Sequence, residues 1–418
     1  MNPPFKAHPA AGVRSAIAAV VAAASALVLA CAPDSGSEDS VVARDSAGIA
    51  IIESRSPTWT TQQGWSLGES PRLQVGLRDG SADQEFSTVI DAALLPDGVL
   101  VVADLGSNEL RFFAPGPRHI RTVGRTGRGP MEFMALRSVE VVGDSLYVFD
   151  ASLDRLSVLT LAGDPIRTAG FGPVDRISLF RYSLVGTVGA ELLFGTLFFQ
   201  PVPRRPAAVY ADSAPNLVYS QDGRPAGTLG EPVRMDLFGE TDGGGPQPFG
   251  RMSALDTDGS SLFIGDGATY EIRVYSAIGE LVRIIRRAWE PQRVTPVLVD
   301  ELVRMQMDLY GVAEGDARAA AIREPFERLP LPEHTPAFGQ LVVASSGHIW
   351  TQDYRPVEDG GDKQWSVFDP QGRWLGRVSV PGRHRLLDAG PDYILGIWRD
   401  DLGVESVRVY DIEVPYGG

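Results

Sequence analysis

Short apolar runs separated by polar turns dominate the chain from Ile49 onward. Runs of Val, Ile, Leu, Phe and Tyr alternate with clusters of Gly, Pro and Asp, which is the pattern of an all-β protein. One landmark recurs, in which an aromatic or aliphatic residue near the end of a run is followed four positions later by Gly. Its members are Leu159, Tyr219, Tyr275 and Phe368, joined by two variants with a displaced or missing Gly, Phe113 and Tyr410.

The spacing of these six landmarks indicates a repeat. Successive landmarks are 46, 60, 56, 93 and 42 residues apart, and intervals of about 40 to 60 residues are typical of the four-stranded blades of a β-propeller. In blades one, two and four, Asp104, Asp150 and Asp266 end a strand, and the next apolar pair follows eight and nine residues later. The sequence therefore predicts a six-bladed β-propeller that forms one domain despite its length.

Blade six ends at its third strand, with only a few residues left in the chain. A closed propeller cannot leave an unpaired strand edge, so the missing outer strand must come from elsewhere. The segment Arg72–Leu77 (RLQVGL) is a lone strand candidate before blade one. We therefore expect this N-terminal strand to close the ring.

The long interval of 93 residues contains the one helical pattern. Thr295 is suited to cap a helix that Pro296 opens and Gly311 ends. Apolar residues follow helical spacing at Leu298, Leu302, Met305 and Leu309. A second, Ala-rich helix is expected from Asp316 to about Arg323, so a helical insertion at about 295–323 separates blades four and five.

The N-terminal segment has the features of an export signal. Lys6 and Arg14 precede an apolar stretch of 16 residues, Ser15–Ala30, which suits a signal-peptide core. The stretch ends at Cys31, the single cysteine of the chain, and the sequence VLAC resembles the lipobox of bacterial lipoproteins. The alternative is an ordinary secretory signal. The resemblance implies that Cys31 is lipidated, and Ala32 after it favours the outer membrane, facing the periplasm or the cell surface.

These features divide the chain into three parts. We predict a lipoprotein signal peptide over residues 1–31, a flexible acidic tether over 32–48, and the propeller over 49–418. The formal net charge of −15 argues against nucleic acid as a partner and leaves the lipid anchor as the contact with the membrane. With no further cysteine, no disulfide framework is expected.

The run VGRTGRGPMEF, Val123–Phe133, resembles NHL-type repeats and the bacterial six-bladed β-propeller proteins related to them. The resemblance covers most of the chain after Ile49 and implies the fold, but propellers include binding modules, scaffolds and several kinds of enzyme. Loops that join second to third strands and crossovers between blades open on one face of a propeller. We expect that face, partly covered by the helical insertion, to be the working surface.

Several side chains are candidates for this surface, each with a structural alternative. Arg125, Arg128 and Glu132 either bind an anionic ligand or pin the crossover to the next blade. The strand-ending aspartates, Asp104, Asp150, Asp266 and Asp353, either line a cation site or accept backbone N–H bonds in their turns. Four tryptophans either pack between blades or form a sugar-stacking platform: Trp350, Trp365, Trp374 and Trp398.

Local catalytic motifs are missing from the sequence. The histidines form no HxH or HxxxH pair, and neither GxSxG nor a Walker-type GxxxxGK[ST] is present. We therefore assign no catalytic residue, metal ligand or cofactor. The predicted function is a non-catalytic binding or scaffold module of the cell envelope, whose partner is an envelope protein or a small-molecule or glycan ligand. The alternative is an extracytoplasmic metal-dependent hydrolase or lyase of the propeller lactonase or lyase type, with a divalent cation at the ring centre.

Overall fold

The computed structural model describes residues 40–60, 63–76, 81–173, 177–196, 208–240, 243–355, 361–400 and 402–415. These residues are predominantly β and form several four-stranded antiparallel sheets in a propeller-like arrangement. The predicted signal peptide, Cys31 and residues 32–39 of the predicted tether lie outside the described residues.

The described chain begins with a β-hairpin. Strands β1 (Val41–Ser46) and β2 (Ile49–Ser54) pair antiparallel, and Gly48 takes a φ of 85° in the turn between them. The prediction of a flexible tether through residue 48 is therefore wrong for residues 41–46. Four of the six β1 side chains are exposed, so this strand lacks the apolar alternation by which a sequence reveals a half-buried strand. Two short strands follow, β3 (Ser66–Leu67) and β4 (Leu73–Val75).

The first two repeats are regular meanders of four antiparallel strands. Sheet I contains β5 (Val89–Leu94), β6 (Leu100–Asp104), β7 (Glu109–Phe113) and β8 (His119–Val123). Sheet II contains β9 (Leu136–Val142), β10 (Ser145–Asp150), β11 (Arg155–Thr160) and β12 (Pro165–Gly170).

The third repeat is irregular because part of it belongs to another sheet. Sheet III has the order β13 (Tyr182–Val188), β14 (Glu191–Thr196), β16 (Leu217–Tyr219) and β17 (Pro225–Thr228). Between β14 and β16 the chain forms β15 (Ala208–Ala214), which pairs with β18 (Val233–Glu240). With β19 (Gly243–Pro246) these two strands form a separate three-stranded accessory sheet.

Sheet IV is extended by the N-terminal hairpin. Its own strands are β20 (Ala254–Thr257), β21 (Ser261–Gly265), β22 (Glu271–Ser276) and β23 (Leu281–Arg287). Strand β2 pairs in parallel with the outer strand β23, with Ile51 opposite Ile284, so the sheet has six strands.

Two helices follow sheet IV in the chain, α1 (Pro296–Leu309) and α2 (Ala317–Arg328), here called the helix pair. Thr295 caps α1 by accepting a hydrogen bond from the Leu298 amide at 3.3 Å, and Gly311 follows its end with a φ of 60°. Helix α2 continues beyond the predicted end near Arg323. Buried Phe326 explains the extension, because it anchors the last turn in a core that the two helices share with Phe249.

The last two sheets complete the set. Sheet V contains β24 (Phe338–Val343), β25 (Ile349–Asp353), β26 (Lys363–Phe368) and β27 (Trp374–Val380). Sheet VI contains β28 (His384–Ala389), β29 (Tyr393–Arg399) and β30 (Glu405–Glu413). Two N-terminal strands pair antiparallel with β30 and bring the sheet to five strands. Strand β3 places Leu67 opposite Ile412, and β4, within the segment predicted to supply a closing strand, places Val75 opposite Val407.

The first strands of the six sheets are β5, β9, β13, β20, β24 and β28. Each packs against the first strand of the next sheet, and β28 packs against β5. A separate apolar core fills each interface between consecutive sheets, including the interface between sheets VI and I. Trp350 and Trp365 are fully buried between sheets V and VI, and Trp398 is nearly so. Trp374 is nearly buried between sheets IV and V, so none of the four forms a sugar-stacking platform.

Hydrogen bonds also connect the first strands across every one of these interfaces. In each bond a side chain reaches the backbone of the neighbouring sheet, so the contact does not depend on the outer strands. The six pairs are Asp91 with Val139 N, Ser138 with Leu184 N, Thr257 with Thr187 O, Asp256 with Val343 N, Gln340 with Leu386 O, and Arg385 with Ile90 O.

The closing strand yields a stability prediction. Val75 is fully buried in the core between sheets VI and I. We expect Val75→Ala to lower the free energy of unfolding by about 2–4 kcal/mol, because it leaves a cavity where the two chain ends meet. Urea unfolding followed by tryptophan fluorescence measures this. Val141→Ala, at a residue 37% exposed, is the matched control and should change stability by less than about 0.5 kcal/mol. Equal losses in both variants would contradict the role of β4 in closure.

Candidate functional site

One edge of the sheets carries the turns between second and third strands. The ends of second strands there bond to the segments that precede first strands, as when the Leu105 amide donates to Thr88 O at 2.8 Å. The Tyr354 amide donates to Ala337 O at 3.2 Å in the same way. The Ala337 amide in turn donates to Gly267 O at 2.8 Å and joins the turns of sheets IV and V. We call this edge the turn face.

Three of the strand-ending aspartates stabilise the backbone of this face, among them Asp266, which accepts from the Ala268 amide at 2.9 Å. The buried carboxylate of Asp104 accepts hydrogen bonds from the amides of Thr88 at 2.9 Å and Gly106 at 3.0 Å. Asp150 accepts from the amides of Met134 at 2.6 Å and Ser152 at 2.9 Å. Their oxygens are used by the chain itself, which agrees with the structural interpretation of these residues.

Asp353 has a different environment from the other aspartates. Its carboxylate accepts from Arg287 Nη2 at 2.9 Å, Arg377 Nε at 2.8 Å and the Tyr270 hydroxyl at 2.6 Å. The Arg287 guanidinium also lies 3.6 Å from the centre of the Tyr270 ring and 4.5 Å from that of Trp374. Two arginines therefore compensate the charge of Asp353. The bonds from Arg287 and Tyr270 to Asp353 also join sheets IV and V.

The predicted anion-binding residues lie in the crossover between sheets I and II. Glu132 accepts from the Gly129 amide and from Arg125 Nη2, both at 2.7 Å, and these two contacts hold the pKa of Glu132 below its ordinary value. The Arg125 side chain remains 77% exposed, and Arg128 is exposed. The structure thus pairs Arg125 with Glu132 inside one loop. A ligand-binding role for the three residues stays a prediction.

An acidic group that the sequence analysis missed lies on the first strands. It consists of Asp91 on β5, Glu140 on β9, Asp256 on β20 and Asp388 on β28, here called the inner acidic cluster. Each side chain keeps some accessible surface although protein atoms surround it densely. The four residues lie far apart in the chain and leave no local motif. Only the closed packing of the first strands reveals the cluster.

Burial and mutual repulsion raise the pKa values of this cluster. Burial raises the pKa of Asp91 to about 6 and that of Asp256 to about 7. Burial first, and then repulsion from Asp91, Asp256 and Asp388, raises the pKa of Glu140 well above its ordinary value. Within the described residues, Glu140 makes no hydrogen bond or ion pair that would offset this cost.

Among the described residues, no group of three or more His, Cys, Asp or Glu side chains is arranged to hold a metal ion. The members of the inner acidic cluster belong to separate first strands, and two of them are already bound to backbone amides of the next sheet. The alternative of a metal-dependent enzyme therefore has no ligand set among these residues.

A cavity of about 280 Å³ opens beside the turn face of sheets IV and V. It lies between the accessory sheet, the segment 247–252 and the start of sheet V, and we call it the turn-face pocket. Its walls are mostly apolar and aromatic. The lining residues used below are Met235, Phe249, Arg251, Met252, Phe338 and Tyr354.

The charged rim of the pocket is internally neutralised. Arg251 Nε donates to Asp236 Oδ2 at 2.9 Å, and Arg234 lies 3.4 Å from the other oxygen of Asp236. Although burial acts in the opposite direction, hydrogen bonds from Arg251 hold the pKa of Asp236 below its ordinary value. Asp266 approaches Arg251 Nη1 to 3.6 Å. Two arginines thus face two aspartates, and the pocket has little net charge.

Two aromatic residues shape the pocket further. Burial raises the pKa of Tyr354 to about 12, and its hydroxyl makes no hydrogen bond to any described residue. Phe249 has a φ of 57°, a left-handed conformation that bulky residues rarely adopt. Such strained residues concentrate at functional sites. Phe249 is held there because its side chain is buried in the core of the helix pair.

Within the described part of the chain, none of the helices is long and apolar enough to span a membrane.

No protein-family model matches the chain, and no curated protein matches it. Among solved structures, a member of the DUF4221 family from Bacteroides vulgatus is 10% identical, with 85% of this chain and 100% of that chain covered and a TM-score of 0.49. A Bacteroides fragilis protein described as exported is 11% identical, with coverages of 87% and 99% and a TM-score of 0.47.

Enzymes also occur among the similar structures. Virginiamycin B lyase from Staphylococcus aureus is 8% identical, with 83% of this chain and 99% of that chain covered and a TM-score of 0.40. At these identities and TM-scores, the likenesses carry no argument about the function of this chain.

The inner acidic cluster yields a pH prediction. Because the folded pKa values are raised, the folded chain binds protons more tightly than the unfolded chain. The free energy of unfolding should therefore rise as the pH falls from about 8 to about 5. The same contribution disappears when the pH rises through the pKa values of the folded state. Urea unfolding at several pH values measures this.

A single substitution isolates the contribution of Glu140. We expect Glu140→Gln to raise the free energy of unfolding at pH 8 by more than about 1 kcal/mol and to have little effect at pH 5, since one pKa unit corresponds to about 1.4 kcal/mol. Glu280→Gln, in an exposed turn, is the control and should change neither value. A Glu140→Gln variant that is less stable at pH 8 would contradict the prediction.

Proposed function

We propose that the chain is a lipid-anchored, six-bladed β-propeller of the cell envelope that binds a ligand without catalysing a reaction. In this proposal sheets I–VI are the blades, β4 closes the ring and the helix pair is an insertion between blades four and five. The closed neighbour order of the first strands and the six separate inter-sheet cores support this architecture.

The anchoring part of the proposal rests on the N-terminal sequence. Cys31 is the single cysteine, it follows an apolar stretch, and the lipobox resemblance implies a diacylated residue there. The signal peptide would cover residues 1–31, and the first strand of the described body is β1, Val41–Ser46. The outer membrane, facing the periplasm or the surface, is the proposed location.

The turn-face pocket is the observation that carries the binding function. Ligand sites are typically concave and mostly apolar, with a few polar groups that fix orientation. This pocket has these features, and distant chain segments build it together with the strained backbone of Phe249. It also lies on the face where the sequence analysis expects the working surface.

Binding is a better interpretation than catalysis for specific reasons. A propeller hydrolase or lyase needs metal ligands that converge, and the described residues contain no such group. A glycan platform needs exposed aromatic rings, whereas Trp350 and Trp365 are fully buried. A small molecule seated among Met252, Phe338 and Tyr354 is the ligand that the pocket fits.

A fragment screen tests the pocket. We expect thermal-shift measurements on the purified protein to find small molecules that raise its melting temperature. Met252→Arg should abolish these shifts, because Met252 lines the pocket and the longer, charged side chain would fill it. Met252 is 43% exposed, so we expect the variant protein to fold normally. Ile278→Arg, at a turn residue 80% exposed and outside the pocket lining, is the matched control and should retain them.

Two results would overturn the proposed binding function. One is a screen of chemically diverse fragments in which none shifts the melting temperature of the unsubstituted protein. The other is a set of shifts that Met252→Arg leaves unchanged, which would place binding elsewhere on the molecule.

The lipid anchor has its own test. We expect Cys31→Ser to move the protein from the membrane fraction to the soluble fraction, because the thiol that carries the diacylglycerol is missing. Mass spectrometry of the mature N-terminus of the unsubstituted protein should find a lipidated Cys31. An unmodified cysteine, or a Cys31→Ser variant that remains in the membrane fraction, would refute the anchor.

A further inference from the structure

We infer that the turn-face pocket selects an uncharged ligand, a compact ring that carries one hydrogen-bonding oxygen. This inference rests on the proposed function, because it names the ligand class of the same pocket.

The rim gives no uncompensated charge to a ligand. Arg251 is held by Asp236 at 2.9 Å and approached by Asp266 at 3.6 Å, and Arg234 shares Asp236. A ligand carboxylate would have to displace one of these aspartates to gain an arginine. A ligand ammonium would have to displace an arginine to gain an aspartate. Either charge would enter a mostly apolar cavity without a free partner, which is strongly unfavourable.

The pocket has room for about one ring. A water molecule occupies about 30 Å³ in the liquid, so 280 Å³ holds roughly nine waters. A six-membered ring with short substituents fills that space, whereas an oligosaccharide or a peptide of several residues does not. Ligands of larger size would place only one such group in the pocket.

The walls favour a flat ring. Met235 and Met252 face each other across an antiparallel bridge, and both line the pocket with Phe338. Methionine side chains adapt their shape to a bound group, and their sulfur atoms interact favourably with aromatic rings. Phe338 is buried against Tyr270, with ring centres 5.2 Å apart, so it forms a fixed wall rather than a mobile one.

Tyr354 supplies the polar contact. Tyr354 lines the pocket and is half-buried, and its hydroxyl makes no hydrogen bond to a described residue. The hydroxyl remains protonated at neutral pH, so it can donate a hydrogen bond to a hydroxyl or carbonyl oxygen of the ligand and can also accept a hydrogen bond from a hydroxyl. A ligand oxygen would satisfy the hydrogen-bonding capacity of this hydroxyl.

Three probes of similar shape and different charge test the inference: 4-methylphenol, 4-methylbenzoate and 4-methylbenzylamine. We measure their binding to the purified protein at pH 7 by saturation-transfer-difference NMR titration. The neutral phenol should bind at least tenfold more tightly than either charged probe. Tyr354→Phe should weaken phenol binding about three- to tenfold, and Met252→Arg should abolish it, while Ile278→Arg should have no effect.

The possible failures are distinguishable. If a charged probe binds as tightly as the phenol, and Met252→Arg abolishes that binding, the ligand class is wrong and the proposed binding function stands. If Tyr354→Phe leaves phenol affinity unchanged, the assigned role of the hydroxyl is wrong. If none of the three probes binds, the inference is overturned, and the fragment screen decides whether the pocket binds ligands of another class.

Discussion

The fold depends on the hydrogen bonds that join each first strand to the first strand of the next sheet. In every one of these six contacts a side chain of one sheet reaches the backbone of its neighbour, so the inner part of the molecule is fixed independently of the outer strands. This explains why the periphery varies so widely. Strand β15, from the third repeat, belongs to the accessory sheet, and the N-terminal hairpin extends sheet IV through the parallel pairing of β2 with β23. The helix pair follows sheet IV, yet the order of the first strands stays closed.

The same contacts impose an electrostatic cost. Asp91 and Asp256 serve as acceptors for backbone amides of the next sheet, and they share the interior with Glu140 and Asp388. Burial raises the pKa of all four carboxyl groups, and repulsion from neighbouring carboxylates raises the pKa of Asp91, Glu140 and Asp256 further, which favours the protonated state. A polar interior of this kind fixes the register of neighbouring sheets, because Asp91 and Asp256 each accept from one amide of the next sheet, and it makes the stability of the protein depend on pH.

The sequence was informative where structure is local. A strand, its turn and the next strand lie close together in the chain, so the repeats and the cap at Thr295 were predictable from spacing and turn chemistry. The pairing of the strand near Val75 is not local, and it was predicted from the missing fourth strand of the last repeat. Other features built from distant segments were not predicted. Strand β15 pairs with β18 across the whole of β16 and β17, the inner acidic cluster takes one residue from each of four sheets, and the turn-face pocket joins Met235 to Tyr354 across more than 100 residues. Strand β1 was missed because exposed side chains conceal its pairing.

The two N-terminal pairings also determine the order in which the molecule can assemble. Strand β2 finds its partner β23 about 230 residues later, and β4 finds β30 about 330 residues later. Contacts of such long sequence separation form slowly. A chain that emerges from its N-terminus keeps one edge of β2 open until β23 is available, and it keeps β4 unpaired until nearly all of the chain is available. Loss of β30 would therefore leave β4 without a partner as well, and folding is complete only when these two distant strands meet.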